Sequence, residues 1–94
     1  MPDTALYVVA YDISSDRERN RADKLLQGYG FRRQRSVFEC RLTRGMLGRL
    51  RRDLEELMLE SGFVMIYHLA PNSRPFVLGE APPFHDDDWA WIAG

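Results

Sequence analysis

Apolar runs alternate with segments of helical periodicity along most of this chain. Residues 5–12 predict a strand that is apolar on both faces up to its last residue, Asp12, which is typical of a central strand covered on both sides. Residues 63–69, FVMIYHL, have the same character. Residues 31–42 place apolar and charged side chains alternately, with a period of two. These patterns predict three strands, and a short fourth strand at 76–78 follows a turn.

Two helices are predicted between the strands. The first covers 15–28 and begins at Ser15, which fits an S-x-x-E capping box with Glu18. Its predicted inner face contains Ala22, Leu25, Leu26 and Tyr29. The second covers about 44–60 and follows Thr43 as a predicted N-cap. Its predicted inner face contains Met46, Leu50, Leu54, Leu57 and Met58.

Two helices over one sheet predict the α+β class, as a ferredoxin-like βαββαβ sandwich with both helices on one face of an antiparallel sheet. Residues 1–79 form this domain, and 80–94 form an acidic, aromatic tail. We expect the second strand to run beyond the sheet edge, because its arginine-rich face has no helix to cover it. That uncovered surface and the short chain predict a homodimer. The tail either contributes to an interface or is a frayed terminus.

Composition narrows the class of protein. The chain has 94 residues, of which 45% are hydrophobic, as in ordinary globular domains. The single cysteine, Cys40, excludes an internal disulfide and fits a reducing compartment. No secretory leader and no apolar run of membrane-spanning length is visible, so we expect a cytoplasmic protein that does not enter a membrane.

The net charge of −1 conceals an asymmetry along the chain. All 13 basic residues lie at or before Arg74, and twelve of them are arginine. The last twenty residues carry four acids and no bases. Because the planar guanidinium group matches phosphate oxygens, this usage favours phosphate binding, although a genome-wide bias toward arginine codons gives the same count.

The first predicted strand ends at an acid, Asp12, and open sheets commonly bind ligands at strand ends. Asp12 is therefore a candidate ligand for a divalent metal that activates water for attack on a phosphodiester. One carboxylate makes a poor Mg²⁺ site, but a two-fold axis that pairs Asp12 with its copy would supply the second. The alternative is a carboxylate that caps the following turn.

Three neighbours of Asp12 are candidate catalytic residues. Tyr11 is expected either to orient water or phosphate, or to pack its ring against the sheet. Arg19 and Arg21 are expected to hold substrate phosphates or to form a solvated helix face. Arg17, from the same helical turns, is a candidate for nucleic-acid binding.

The second predicted strand adds a candidate nucleic-acid surface. Arg33, Arg35 and Arg41 project from one side of it, and a dimer would double this row. The alternative is ion pairing with Glu39 across the dimer. Phe38, on the opposite side, is expected either to wall the site or to lie in the core.

The residues 7–21, YVVAYDISSDRERNR, are followed by Gly30 and by QRSVFE at 34–39. Together with FVMIYHL at 63–69, they resemble the small CRISPR-associated protein two family, and the resemblance covers about 5–79. It implies a ferredoxin-like dimer that works with an integrase, CRISPR-associated protein one, in capturing new spacers. It also implies, in some members, a metal-dependent nuclease activity on RNA or duplex DNA.

In that family the residue at the position of Asp12 binds magnesium across the dimer axis. The resemblance thus implies Mg²⁺, with Mn²⁺ as a substitute, held weakly between two protomers. Three functions stay open at this point. The chain is an architectural dimer that bridges integrase dimers on duplex DNA, a metal-dependent phosphodiesterase centred on Asp12, or a toxin-like ribonuclease or non-catalytic nucleic-acid-binding dimer that shares only the fold.

Overall fold

The four strands of this protein form one antiparallel sheet, with the strand order β2-β3-β1-β4. The computed structural model describes residues 3–72 and 76–79. Its elements are β1 (Ala5–Ile13), α1 (Asp16–Gln27), β2 (Phe31–Gln34), β3 (Val37–Leu42), α2 (Arg44–Glu56) and β4 (Gly62–Leu69). This order and strand arrangement confirm the predicted ferredoxin-like βαββαβ sandwich.

The core lies between one face of the sheet and the two helices. Successive side chains of a strand point to opposite faces, so alternate residues of β1 enter this core. The buried residues from the strands are Tyr7, Val9, Tyr11, Ile13, Phe38, Cys40 and Leu42, and those from the helices are Ala22, Leu26 and Leu50. The other face of the sheet, here called the open face, carries Leu6, Val8, Ala10 and Asp12 of β1 and Phe63, Met65, Tyr67 and Leu69 of β4.

The segment 31–42 is a hairpin of two strands, which corrects the prediction of a single long strand. Gln34 pairs with Val37, and the chain reverses at Arg35 and Ser36 between them. Ser36 has a φ of 77°, in the left-handed region that a tight turn requires. The strand therefore folds back to form the sheet edge and does not run beyond it, while the predicted alternation of its second half is confirmed.

Both predicted helix caps are present, since Ser15 accepts a hydrogen bond from the Glu18 N–H and Thr43 accepts one from the Met46 N–H. The inner face of α2 is only partly as predicted, because Met46 and Met58 are exposed by 38% and 78%. Met58 lies beyond the end of the helix and has a φ of 52°. The positions that do pack on the core are Leu47, Leu50, Leu54 and Leu57.

The end of the described chain adds no strand to this sheet. Phe76 and Leu78, predicted to lie in a short fourth strand, are exposed by 88% and 85% and belong to none of the strands. The predicted tail, 80–94, lies outside the described residues. Neither of the described helices is long and apolar enough to span a membrane.

Ser61 joins the loop before β4 to the loop after β1. Its hydroxyl accepts from the Ser15 N–H at 3.0 Å, and its carbonyl accepts from the Ser14 N–H at 2.8 Å. The Glu18 carboxylate accepts from the N–H groups of Glu60 and Ser61 and from the Ser61 hydroxyl, the last at 2.5 Å. Glu18 thus forms only half of the predicted capping box, because its carboxylate binds the β4 loop rather than the Ser15 N–H. These bonds, named here the Ser61 clasp, fix the two loops that flank Asp12.

The Ser61 clasp predicts an acid-sensitive step in stability. The Ser61 hydroxyl first, then the Glu60 N–H, lower the pKa of Glu18 below its ordinary 4.5. A lowered folded-state pKa stabilises the fold above the unfolded pKa, and the contribution is lost as pH falls through the folded value. We expect Glu18→Gln to lower the free energy of unfolding at neutral pH and to flatten its decline as the pH falls below about 4.5. Urea unfolding at fixed protein concentration measures both effects.

Glu56→Gln is the matched control for this experiment, because Glu56 is an exposed residue at the end of α2. The control is expected to retain the acid-dependent decline of the wild type. If Glu18→Gln and wild type lose stability in parallel as the pH falls, the Ser61 clasp does not act through the Glu18 charge.

Candidate functional site

Asp12 lies at the C-terminal end of β1, on the open face of the sheet, and is exposed. Its side chain makes no hydrogen bond or ion pair with residues 3–72 or 76–79. The turn that follows is capped by Ser15, so the alternative of Asp12 as a turn cap is not what the structure shows. Within the described residues, its carboxylate therefore has no partner.

The backbone at Asp12 is held by close approach of β4. Gly62 pairs with Ile13 and has a φ of 153°, and a Cβ built on it would lie 1.9 Å from the Asp12 carbonyl oxygen. Any side chain at this position would push the strands apart, so glycine permits the pairing that continues to the end of β1. The neighbouring pair joins Asp12 directly to Phe63.

An apolar row borders Asp12 on the open face. Phe63, Met65 and Tyr67 are exposed by 54%, 41% and 48%, and all three project from the same side of β4. Leu6, Val8 and Ala10 of β1 lie on the same side of the sheet. The carboxylate of Asp12 thus lies at one end of an apolar surface whose β4 side chains are exposed.

The position of Tyr11 corrects the expectation that it shares one site with Asp12. Tyr11 is buried on the helix side, with 5% of its surface exposed, because adjacent residues of a strand point to opposite faces. Its hydroxyl donates to the Asp23 carboxylate of α1. Tyr11 therefore packs in the core, the second of the two roles considered for it.

The three arginines of α1 differ in their surroundings. Arg19 donates from Nη1 to the carbonyl oxygen of Ile13 at 2.8 Å and also pairs with Asp16, so it braces the loop after β1. Arg17 and Arg21 are exposed, and neither makes an ion pair within 4 Å in the described part of the chain. Of the three arginines of α1, Arg17 and Arg21 therefore have guanidinium groups exposed to solvent and accessible to a phosphate.

The structure breaks up the predicted arginine row of the second strand. Arg33 Nε lies 3.0 Å from a Glu39 carboxylate oxygen, and both side chains are nearly buried, at 10% and 12% exposed. This ion pair lies within one chain, between β2 and β3, and not across a dimer as the alternative had it. Arg41 is half-buried on β3, and Arg35 is exposed in the hairpin turn, away from both.

Phe38 and Cys40 belong to the core and not to a binding surface. Both are fully buried, which excludes direct contact of the Phe38 ring with nucleic acid in this structure and corrects its proposed binding role. Burial first, and then the charge of Glu39, raise the pKa of the Cys40 thiol to about 12. The thiol thus stays protonated and is no nucleophile.

The sequence analysis did not identify two residues that form a hydrogen-bonded network with Tyr11. Asp23 accepts the Tyr11 hydroxyl and also pairs with Arg32 of β2, whose Nη2 lies 2.9 Å from Asp23 Oδ2. The Arg32 guanidinium also lies 5.6 Å from the centre of the Phe38 ring. Asp23 and Arg32 are in different elements, and no local pattern in the sequence relates them.

The donor chemistry of the site suits magnesium better than zinc. Mg²⁺ prefers oxygen ligands, keeps several waters and takes one or two carboxylates, so an exposed aspartate fits it. In residues 3–72 and 76–79, no three His, Cys, Asp or Glu side chains are grouped to hold a metal ion. Asp12 therefore does not belong to a ready-made set of three or more ligands within the described residues.

Comparison with known proteins agrees with this architecture. Residues 5–75 match the family CRISPR associated protein Cas2. The CRISPR-associated endoribonuclease Cas2 of Thermus thermophilus is 48% identical over 67 residues, which cover 70% of this chain and 71% of that protein. A protein of the same name from Chloroflexus aurantiacus is 40% identical over 81 residues, 82% of this chain and 87% of its own.

Solved structures show the same fold. A hypothetical protein from Thermus thermophilus superposes with a TM-score of 0.78 at 41% identity, covering 86% of this chain and 98% of its own. A crystal structure of cas2 superposes with a TM-score of 0.76 at 33% identity, covering 88% and 97%. The chain belongs to the CRISPR associated protein Cas2 family.

Proposed function

We propose that this protein is a homodimeric CRISPR-associated subunit whose paired Asp12 residues bind a divalent metal and support hydrolysis of a nucleic-acid phosphodiester. The observation that carries the proposal is the position of Asp12, an exposed carboxylate at the edge of an uncovered apolar sheet face. An exposed apolar face favours association with a second copy of the chain. The Asp12 carboxylate would supply the resulting interface with a ligand for the metal.

The exposed apolar row supports the dimer. Soluble monomers rarely expose contiguous apolar surfaces, and Phe63, Met65 and Tyr67 lie next to one another on one strand. In a two-fold dimer the same patch packs on its copy, so each side chain of the open face meets the open face of the partner. Because Asp12 lies at one end of the open face, the proposed two-fold axis passes close to that end and places both Asp12 carboxylates in one shared site.

Magnesium, or manganese in its place, would be held by the two Asp12 carboxylates, and when bound it would supply an activated water and neutralise charge at phosphorus. Arg17 and Arg21 are exposed in α1, the helix that follows the Asp12 turn, and would bind phosphate oxygens there. Relatives of this chain are named endoribonucleases, and one from Thermus thermophilus is named an endonuclease. RNA is therefore the first substrate to test, and duplex DNA is the second.

An architectural role is the second candidate. Each chain presents one exposed carboxylate on its open face, and the described residues hold no larger metal-ligating group. That set of metal ligands is small for an enzyme, but it is sufficient for a dimer that bridges two dimers of the CRISPR-associated protein one integrase on duplex DNA. The two roles are compatible, and variants of Asp12 separate them.

We expect Asp12→Asn to lower the rate of RNA or duplex DNA cleavage by about 100-fold or more, because a lost metal ligand removes several kcal/mol of transition-state stabilisation. The wild type is expected to need Mg²⁺ or Mn²⁺ and to be inactive in EDTA. A gel-based cleavage assay on both substrates, with an integrase pull-down on the same samples, makes the measurement.

Glu56→Gln, which neutralises an exposed acid on α2, is the control and is expected to cleave like the wild type. Equal cleavage by wild type and Asp12→Asn would place the activity elsewhere and end the catalytic proposal. If neither protein cleaves but both bind integrase and DNA, the architectural role stands alone.

A substitution that introduces a charge on the open face tests whether this face forms the proposed dimer interface. Met65→Glu is expected to raise the dimer dissociation constant by roughly 100-fold or more, because an unpaired carboxylate would be buried in the interface. Sedimentation velocity over a concentration series measures the change. Met46→Glu is the matched control, since Met46 is exposed to a similar extent, 38% against 41%, but lies on α2. Equal behaviour of the two variants would show that the open face is not the interface.

A further inference from the structure

Ser61 lies in the loop before β4, and all of its polar atoms form hydrogen bonds. Its hydroxyl donates to Glu18 Oε1 at 2.5 Å and accepts from the Ser15 N–H at 3.0 Å. Its own N–H donates to Glu18 Oε1 at 3.0 Å. Its carbonyl oxygen accepts from the N–H and from the hydroxyl of Ser14, at 2.8 Å and 3.1 Å. One residue thus holds both of the residues that follow β1 and the first turn of α1.

The end of β1 that carries Asp12 has few other restraints from the sheet. The pairing of β1 with β3 ends at Ala10, so in the described sheet Asp12 and Ile13 pair with β4 alone. Only one pair lies beyond Asp12, and it joins Ile13 to Gly62, a glycine with a φ of 153° and no side chain to pack. The ends of elements open at a lower free energy than the core does. Without the bonds of Ser61, this end of the ladder is therefore expected to open easily.

The order of a strand end affects how tightly it binds an ion. Fixing a mobile backbone costs conformational entropy, and an ion that must order its own site binds more weakly by that cost. In the proposed dimer one ion is shared by two copies of Asp12, so the cost would arise in both chains. Hydrogen bonds that are formed before the ion binds transfer this cost from ion binding to folding.

We propose that Ser61 is a positioning residue for the divalent-metal site at Asp12, and that it acts by holding Ser14 and Ser15 in place before the ion binds. This inference rests on the proposed function, because it takes the paired Asp12 carboxylates as the ligands. The hydroxyl of Ser61 is already engaged by Glu18 and by the Ser15 N–H. Ser61 therefore acts through the backbone of the strand end and is not itself a ligand.

Binding of Mn²⁺ to the intact protein tests this inference without any cleavage. The free ion is followed by electron paramagnetic resonance, at a protein concentration where sedimentation velocity shows every variant to be dimeric. Asp12→Asn identifies the bound Mn²⁺ that belongs to the Asp12 site. Ser61→Ala removes the hydroxyl, and Ser61→Thr keeps it. Tyr29→Phe is the matched control, because it also removes a side-chain hydroxyl bond, of 2.6 Å to Asp53, but beyond the opposite end of α1.

Ser61→Ala is expected to bind Mn²⁺ about tenfold more weakly than the wild type, as is typical when a group that supports a metal ligand is lost. Ser61→Thr is expected to restore the affinity, and Tyr29→Phe is expected to keep it. Equal affinity in Ser61→Ala and wild type, where Asp12→Asn has lost binding, would overturn the positioning role and leave the metal site standing. Equal weakening by Tyr29→Phe would also overturn it, because general stability would then explain the loss. Wild-type binding that is absent, or that Asp12→Asn leaves unchanged, would refute the metal site and this inference with it.

Amide hydrogen exchange of the wild type in EDTA is a second measurement, and it needs no variant. The N–H groups of Ser14 and Ser15 donate to Ser61, so both are expected to be protected from exchange before Mg²⁺ is added. Protection that arises only after Mg²⁺ is added would show that the ion orders the strand end. That result would overturn the proposal even if Ser61→Ala failed to fold.

Discussion

The two-residue alternation along β1 is the constraint on which the rest of this structure depends. The strand is central, paired with β3 on one side and β4 on the other, so its register cannot slip without displacing both neighbours. Odd-numbered residues from Tyr7 to Ile13 enter the core, and the intervening residues line the open face. A shift of one position would bury Asp12 and expose Tyr11. Because the odd-numbered residues of β1 are buried in the core, the Asp12 carboxylate lies on the open face.

The strand end is made rigid by groups that do no chemistry themselves. Gly62 lets β4 approach the Asp12 carbonyl, Arg19 binds the next carbonyl along, and the Ser61 clasp fixes the loops on either side. Glu18 accepts three donors from the β4 loop, and these hydrogen bonds lower its pKa. Arg19 and Glu18 therefore support the end of β1. The backbone of Asp12 is fixed, and its side chain has no partner among the described residues.

The sequence predicted most of the fold because its apolar pattern is strong where elements are long. It missed the hairpin because the turn residues, Arg35 and Ser36, include none of the glycine, asparagine or proline that marks most tight turns. Asp12 was singled out because an acid ends an apolar run; its exposure at the strand end is confirmed, and its metal-binding role stays a prediction. Tyr11 and Phe38 were misplaced in the site, since adjacency in sequence does not show which face a strand residue takes. The link from Asp23 to Arg32 depends on how α1 packs against β2, which local patterns do not encode.

The two faces of the sheet differ in their role and in their charge in the proposed dimer. In the proposed dimer the open face gains from burying Phe63, Met65 and Tyr67, but it also brings two copies of Asp12 into one interface. Like charges in a partly desolvated contact repel, so a divalent cation between them would favour both the metal site and the dimer. Metal occupancy and association are then coupled, and each must strengthen the other by the same factor. The helix side of the sheet bears no such charge conflict, because Asp23 forms an ion pair with Arg32 of the same chain.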